Sequence, residues 1–415
     1  MTGYESIPSL VIFAVLGWIA LNTIFFFSHR WRLFSDITWI LFFGLIYGAL
    51  SAMPDSQLPD LVLEPHVVLY VFVPLLVFAS TQCMCLFHFK HVLVPATLAG
   101  TLGIVLSMLV IAAAVHWLLG VPVLPALLFG VIISATDPLA ISALFKGNQQ
   151  VTEDQKLLIE GESILNDGFV VTVAGILSLV VFTDEKLNLA DSILSFVSHV
   201  IGALTVGIVL GRGARWLLSL LHERHYTLTT NITLALAYGS FVLAEEMHFS
   251  GILAVFAAAL AYGYKPYQDD ANHQAHQEIW EYLDYLANAL LFFLLGASVF
   301  TLLSVDNLSF VVIGLSIVLL FAARFISLWL MRPVLHIDQR KLNRLDFWLL
   351  NFSGARGAVS IALLLMLPAD FAYKPLFLTM AISMILFSLI VYPVITKTLL
   401  ARTAASSPVN GSPTP

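Results

Sequence analysis

Residues 130–145 read GVIISATDPLAISALF, an apolar run with Asp137 and Pro138 at its centre. Proline cannot donate to the hydrogen-bond ladder of a helix, and the residue before it is pushed away from helical geometry. The stretch therefore predicts a membrane helix that is broken in its middle. Backbone groups freed at membrane depth must be buried in protein or line a wet cavity, so the break marks a candidate site.

The composition supports the membrane assignment. The chain has 415 residues, of which 59% are hydrophobic and 11% charged, whereas soluble proteins carry about 25% charged residues. Apolar runs recur along the chain, and about 20 apolar residues span a bilayer as a helix. We predict an all-α polytopic membrane protein that is not an enzyme, has no cofactor and does not bind nucleic acid.

Hydropathy and helix-breaking residues predict thirteen membrane helices, the first of which is retained and not a signal peptide. With the N-terminus outside, the inner loops and helix ends receive fifteen of the 19 Lys and Arg residues and the outer loops receive two. Because cytoplasmic loops collect positive charge, we predict an outer N-terminus and a cytoplasmic C-terminus. The predicted helices are 8–27, 36–53, 62–83, 93–118, 122–145, 155–181, 192–220, 227–246, 249–264, 280–303, 308–333, 345–367 and 374–399.

A second break is predicted in helix twelve, at residues 351–365 (NFSGARGAVSIALLL), where Gly354 and Gly357 flank Arg356. Glycine weakens a helix locally and permits unwinding. The broken helices five and twelve are each the middle member of a triplet and run in opposite directions. Interrupted helices at matching positions of inverted halves point to a transporter site. We predict inverted repeats of six helices, 1–6 and 8–13, joined by helix seven.

Few ionisable residues lie inside the predicted helices, and each is a candidate functional residue because a charge at the bilayer centre is costly. They are Asp137, Glu162, Asp167, Arg324 and Arg356. On helix six, Ser163 and Asp167 are four residues apart and share a face, with Asn166 beside them. If helix six lies beside the break in helix five, Asp137 approaches Asp167.

The resulting set is rich in oxygen atoms, because Thr136 adds a hydroxyl and a backbone carbonyl. Hard cations such as Na⁺ favour carboxylate, carbonyl and hydroxyl oxygens. Burial and a like-charged neighbour also favour the protonated form of a carboxylate, so Asp167 is expected to hold a proton until a cation displaces it. One site that takes either a cation or a proton is the core of an exchanger.

The two arginines need counter-charges or carbonyl groups. We predict that Glu162 pairs with Arg356 and fastens helix six to the break in helix twelve, with direct cation binding by Glu162 as the alternative. Arg324 is predicted to bind carbonyl groups freed by the breaks, or a nearby carboxylate.

Three alternatives to Na⁺/H⁺ exchange remain open at the level of sequence. A K⁺/H⁺ antiporter would use the same scaffold, because oxygen ligands alone do not select Na⁺ over K⁺. A cation channel would share the acidic residues but conduct without proton coupling. An intramembrane aspartyl hydrolase would use Asp137 and Asp167 as a dyad that shares a proton.

The stretches SATDPLA, GESILNDG and GARGAVS resemble, in order and spacing, the signature motifs of NhaP-type sodium/proton antiporters, which are related to animal sodium/proton exchangers. The resemblance implies that Asp167 is the essential ion-binding aspartate and that Asn166 is the asparagine before it. Thr136, Asp137 and Ser163 would complete the cation site, with Glu162 paired to Arg356. It also implies electroneutral one-for-one exchange of Na⁺, or Li⁺, for H⁺, and a role in pH homeostasis.

The resemblance further implies a homodimer whose core domain moves against a dimer domain. The dimer domain would comprise 8–91 and 227–303, the core domain 92–182 and 308–399, and residues 192–220 the linker helix. Residues 403–415, rich in Ser, Pro and Thr, are predicted to be disordered. With no long targeting leader, a bacterial inner membrane is favoured.

Overall fold

A computed structural model gives the structure of most of the chain. It describes residues 36–53, 56, 58–82, 84, 86–137, 139–145, 150–182, 189–220, 225–263, 271–303, 309–337 and 340–406. Predicted helix 8–27 lies outside these residues.

The described elements are helices, apart from one antiparallel pair of two-residue strands, β1 (His336–Ile337) and β2 (Arg340–Lys341). The helices are α1 (Asp36–Ser51), α2 (Pro65–Gln82), α3 (86–119), α4 (Val123–Ser134), α5 (Leu139–Phe145), α6 (Glu153–Phe182), α7 (Leu189–Leu220), α8 (Tyr226–Glu246), α9 (Gly251–Tyr262), α10 (Ala271–Leu302), α11 (Phe310–Met331), α12 (Arg344–Ser353), α13 (Ala358–Leu365) and α14 (Lys374–Ser406). Helices α2 and α3 contain π-helical turns, at Val68–Phe72 and Ala99–Gly103.

Within the described residues, eight helices are long and apolar enough to cross a membrane, and α1, α4 and α9 are shorter but also apolar. The chain is thus an all-α polytopic membrane protein, as the composition predicts. The count of thirteen spans and the two inverted repeats stay predictions. One boundary is corrected: α14 continues to Ser406, so residues 403–406 of the predicted disordered tail are helical.

Both predicted breaks are present. Predicted helix five is divided into α4, which ends at Ser134, and α5, which begins at Leu139. Predicted helix twelve is divided into α12, which ends at Ser353, and α13, which begins at Ala358. The two breaks meet, because the backbone N–H of Asp137 donates to the carbonyl oxygen of Ala355 at 2.7 Å.

The glycines of the second break also have a role that the sequence does not predict. Gly354 and Gly357 both have negative φ angles, −79° and −118°, so neither requires the backbone freedom of glycine. A Cβ atom at Gly357 would instead collide with the carboxylate of Asp137, and one at Gly354 would lie 2.9 Å from Arg324 Nε. These glycines therefore make room for charged side chains.

Small residues also set the close approach of neighbouring helices, as is common in membranes. A Cβ atom at Gly296 of α10 would lie 2.6 Å from the carbonyl oxygen of Leu41 on α1. One at Gly100 of α3 would lie 2.9 Å from the carbonyl oxygen of Glu162 on α6. The second contact holds α6, with its polar residues, directly against α3.

Candidate cation-binding site

Helix α6 holds the break between α4 and α5 through two polar side chains. Ser163 Oγ donates to the carbonyl oxygen of Thr136 at 2.5 Å. The Asn166 amide forms two bonds: its Nδ2 donates to Thr136 Oγ1, and its Oδ1 accepts from the backbone N–H of Thr136 at 3.2 Å. All three residues are buried. The structure therefore brings Thr136, Ser163 and Asn166 together, as the sequence indicates.

The two aspartates next to these hydrogen-bonded residues are less buried than their neighbours. Asp137 and Asp167 are only half-buried, whereas Asn166 and Ser163 on either side of Asp167 in α6 are buried. Asp137 and Asp167 also lie close enough to interact electrostatically. The pair thus presents two carboxylates, from two structural elements, next to buried hydroxyl and carbonyl oxygens.

The predicted ion pair between Glu162 and Arg356 is wrong, because Glu162 pairs with Arg324. The Arg324 guanidinium donates from Nη1 to Glu162 Oε1 at 2.5 Å and from Nη2 to Oε2 at 2.8 Å. Each side chain is only 2% exposed. The bidentate geometry occupies both carboxylate oxygens of Glu162, so the structure gives it the role of ion-pair partner.

Arg324 also binds a carbonyl group, as predicted. Its Nη2 and Nε atoms donate to the carbonyl oxygen of Leu350, at 3.0 and 3.3 Å. In an unbroken helix that carbonyl would accept from residue 354, but α12 ends at Ser353. Arg324 on α11 therefore joins α6 to the end of α12 and satisfies a carbonyl that the break frees.

Arg356 stabilises the other break. Its Nη1 donates to the carbonyl oxygens of Ser134 and Ala135, at 2.6 and 3.1 Å. A continuous helix would satisfy the Ser134 carbonyl from residue 138, which is a proline and has no N–H. Arg324 thus has both partners that were predicted for it as alternatives, a freed carbonyl group and a carboxylate, whereas Arg356 binds carbonyl groups and not Glu162.

Two serines that the sequence analysis missed help to join the breaks. Ser388 of α14 accepts a hydrogen bond from the backbone N–H of Arg356 at 3.0 Å, and Ser360 of α13 donates to the carbonyl oxygen of Ile132 at 2.8 Å. Both are fully buried. Their sequence signal is weak, because a serine in an apolar helix commonly bonds only to its own helix.

The charges of the site nearly balance. Three carboxylates (Asp137, Glu162 and Asp167) and two guanidinium groups (Arg324 and Arg356) lie around the breaks, a net charge of −1 when all five are ionised. Glu162 and Arg324 neutralise each other within one ion pair. Either one monovalent cation or one proton at the aspartates would make the set neutral.

Comparison with known proteins shows the family of the chain. The sequence profile of the sodium/hydrogen exchanger transmembrane family matches residues 11–402. The chain is 29% identical over 367 residues to the Na⁺/H⁺ antiporter NhaH of Halobacillus aidingensis, covering 86% of this chain and 89% of that protein. It is 28% identical to the Na⁺/H⁺ antiporter NhaP of Pseudomonas aeruginosa, covering 84% and 83%.

The fold also has a solved counterpart. The structure of the sodium proton antiporter MjNhaP1 from Methanocaldococcus jannaschii at pH 8 superposes with a TM-score of 0.73 at 20% sequence identity, covering 97% of this chain and 99% of that one. Because the family profile covers nearly the whole chain, the chain belongs to the sodium/hydrogen exchanger family.

Proposed function

We propose that this sodium/hydrogen exchanger trades one Na⁺ for one H⁺ at Asp167 and Asp137, which bind the two ions alternately. The observation that carries the proposal is the single unbalanced negative charge of the site. A Na⁺ ion and a proton each neutralise it once, so the two compete for the same carboxylate oxygens. Li⁺ has the same charge and the same preference for oxygen ligands.

The neighbouring oxygens can complete the coordination of the cation. A carbonyl or hydroxyl oxygen has two lone pairs, so Thr136 and Ser163 keep acceptor capacity beside the hydrogen bonds they already make. Asn166 holds the backbone and hydroxyl of Thr136 in place. In this arrangement the two aspartates supply the charge, and the Thr136 segment supplies neutral oxygens.

Alternating access would move the core domain (92–182 and 308–399) against the dimer domain (8–91 and 227–303), with 192–220 as the linker. Close backbone contacts of glycines lie within each group and support this division, whereas the glycine contacts between the groups, Gly161 with Phe89 and Gly168 with Leu253, are made by side chains. Gly296 packs against Leu41 inside the dimer-domain group, and Gly130 packs against the Met108 carbonyl at 2.6 Å inside the core group. We extend the proposal to a homodimer in a bacterial inner membrane, with the N-terminus outside and the C-terminus cytoplasmic.

The test is ion exchange by the purified protein in proteoliposomes. We expect Asp167→Asn to abolish Na⁺-driven proton movement, because the neutral amide neither releases a proton nor supplies the negative charge. Asp370→Asn is the matched control, since Asp370 lies in an exposed turn and its substitution should leave exchange unchanged.

Three results would contradict parts of the proposal. Exchange that persists in Asp167→Asn would remove Asp167 from the site. A panel of Na⁺, Li⁺ and K⁺ gradients in which K⁺ alone drives proton movement would make the chain a K⁺/H⁺ antiporter. Cation flux that is unaffected when the pH gradient is reversed would indicate a channel.

A further inference from the structure

Several buried polar atoms beside the second break find no hydrogen-bond partner among the described residues. They are both side-chain atoms Oδ1 and Nδ2 of Asn351, Nε and Nη2 of Arg356, the hydroxyl of Tyr392 and Oγ1 of Thr396. The four residues are at most 1% exposed. An uncompensated polar atom in a protein interior is costly, so six such atoms on four residues near the second break point to a bound ligand.

The four residues lie on α12, on α14 and in the break that follows α12, and these elements are in contact. The backbone N–H of Arg356 donates to Ser388, and the ring of Phe352 packs against Tyr392 with centroids 5.4 Å apart. As the residue number falls along α12, it rises along α14, so the two helices are antiparallel. Asn351, next to Phe352 in sequence, therefore lies at the height of Tyr392.

A column of hydroxyl groups lines the face of α14 that contacts Arg356. Ser388, Tyr392 and Thr396 follow one another at intervals of four residues, a spacing that places them on one face of a helix. At a rise of about 1.5 Å per residue, the column is about 12 Å long. It begins at the break and continues towards the C-terminus of α14.

The chemistry of these atoms selects the ligand. The group contains donors, such as Arg356 Nε, and acceptors, such as Asn351 Oδ1, so the ligand must both accept and donate. Glu162 does not serve Arg356, because both of its oxygens bind Arg324. An anion would satisfy only the donors, and it would leave the site negative when one cation occupies the aspartates. Water satisfies both kinds of atom without adding charge.

We propose that Asn351, Arg356, Tyr392 and Thr396 enclose a buried hydration site, in which bound water molecules take the place of a carboxylate partner for Arg356. The water hydrates the Nε and Nη2 side of the guanidinium. The opposite atom, Nη1, binds the carbonyl oxygens of Ser134 and Ala135. The site thereby holds the Arg356 guanidinium against the break that carries Asp137. The choice of water over an anion rests on the proposed function, in which one cation occupies the aspartates.

The test is X-ray radiolytic labelling of the purified protein, read out by mass spectrometry. Water bound next to an aromatic ring forms hydroxyl radicals in place and labels that ring even when it is buried. We expect labelling of Tyr392 several-fold above that of Phe129 and Phe377, which are fully buried and stacked on each other. Equal, negligible labelling of the three rings would overturn the proposal and show that the polar groups bond one another in a dry interior.

Two variants test whether the named side chains hold the water. Asn351→Leu and Thr396→Val replace polar atoms with apolar groups of similar size, and each should lower the labelling of Tyr392 several-fold. The matched control is Thr398→Val, the same substitution at an exposed position of α14, which should leave the labelling unchanged. Unchanged labelling in Asn351→Leu and Thr396→Val would also contradict the proposal, because the water would then be held elsewhere.

Discussion

Glu162 and Arg324 form an ion pair that is almost completely removed from solvent. Removing one partner of such a pair leaves a buried charge unpaired and typically costs about 3–5 kcal/mol, whereas removing both costs much less. The pair joins α6 to α11 at the level of the breaks. The ion pair therefore helps to hold in place the α6 segment that carries Asn166 and Asp167.

A double-mutant cycle distinguishes this pair from the one the sequence predicts. Combining Glu162→Gln with Arg324→Gln should give an interaction free energy of about 3 kcal/mol or more, at the upper end of the range for residues in direct contact, because each single substitution leaves a buried charge unpaired. Combining Glu162→Gln with Arg356→Gln should give a smaller value, because Arg356 bonds carbonyl groups. The measurement is the free energy of unfolding by denaturant in detergent micelles. A larger coupling between Glu162 and Arg356 would restore the sequence-based pairing.

At the residue scale, the sequence predicts which side chains gather but not how they pair. The cost of charge at membrane depth identifies all five ionisable residues, and helical spacing groups Ser163 with Asn166. Spacing on α6 shows on which side of the helix Glu162 lies, but it does not show which neighbouring helix the side chain faces. Two arginines on different helices were available, and only their depth and orientation in the packed bundle decide between them.

At the scale of elements, the paired breaks depend on close packing between them. The Asp137 carboxylate lies against the Cα of Gly357, and a Cβ atom there would overlap it. The φ angle of Gly357, −118°, is accessible to alanine. We expect Gly357→Ala to displace Asp137 and to abolish most of the exchange in proteoliposomes, although the chain still folds.

The control for this prediction is Gly314→Ala on α11. Apart from the backbone of its own helix and its chain neighbours, no atom lies within 4 Å of a Cβ at that position, and alanine favours a helix over glycine by about 1 kcal/mol. This variant should unfold at the same or a higher temperature and exchange at the wild-type rate. Wild-type exchange by Gly357→Ala would show that Asp137 does not need its position against the second break.

The breaks themselves could be predicted because their cause is local. Proline removes a donor at a fixed place in the sequence, and the freed carbonyl of Ser134 follows directly from Pro138. The purpose of Gly354 and Gly357 could not be predicted, because it depends on side chains from α11 and the α4–α5 break. Sequence alone does not show which groups approach a glycine.

At the scale of the molecule, hydropathy predicts the apolar middle of each membrane helix more accurately than it predicts the residues at which the helix begins and ends. The predicted helix 280–303 begins at Ala271 in the structure. Residues 271–279 are too polar for a hydropathy window, yet they continue the helix, and Nδ1 of buried His276 lies 2.9 Å from Thr230 Oγ1. Tertiary contacts of this kind extend a helix beyond its apolar segment and leave no periodic hydrophobic signal.

The charge balance of the whole core leads to a prediction about coupling to voltage. With one unbalanced negative charge, the site is neutral when it carries either Na⁺ or H⁺, so each crossing moves no net charge. We expect the exchange rate in proteoliposomes to be unchanged when valinomycin and a K⁺ gradient set a membrane potential, confirmed by a voltage-sensitive dye. A charge carried across 100 mV corresponds to about 2.3 kcal/mol, enough to change the rate of electrogenic exchange strongly. Acceleration by one polarity and slowing by the other would mean that a second proton or another charged group moves with the ion, and the one-for-one exchange would be wrong.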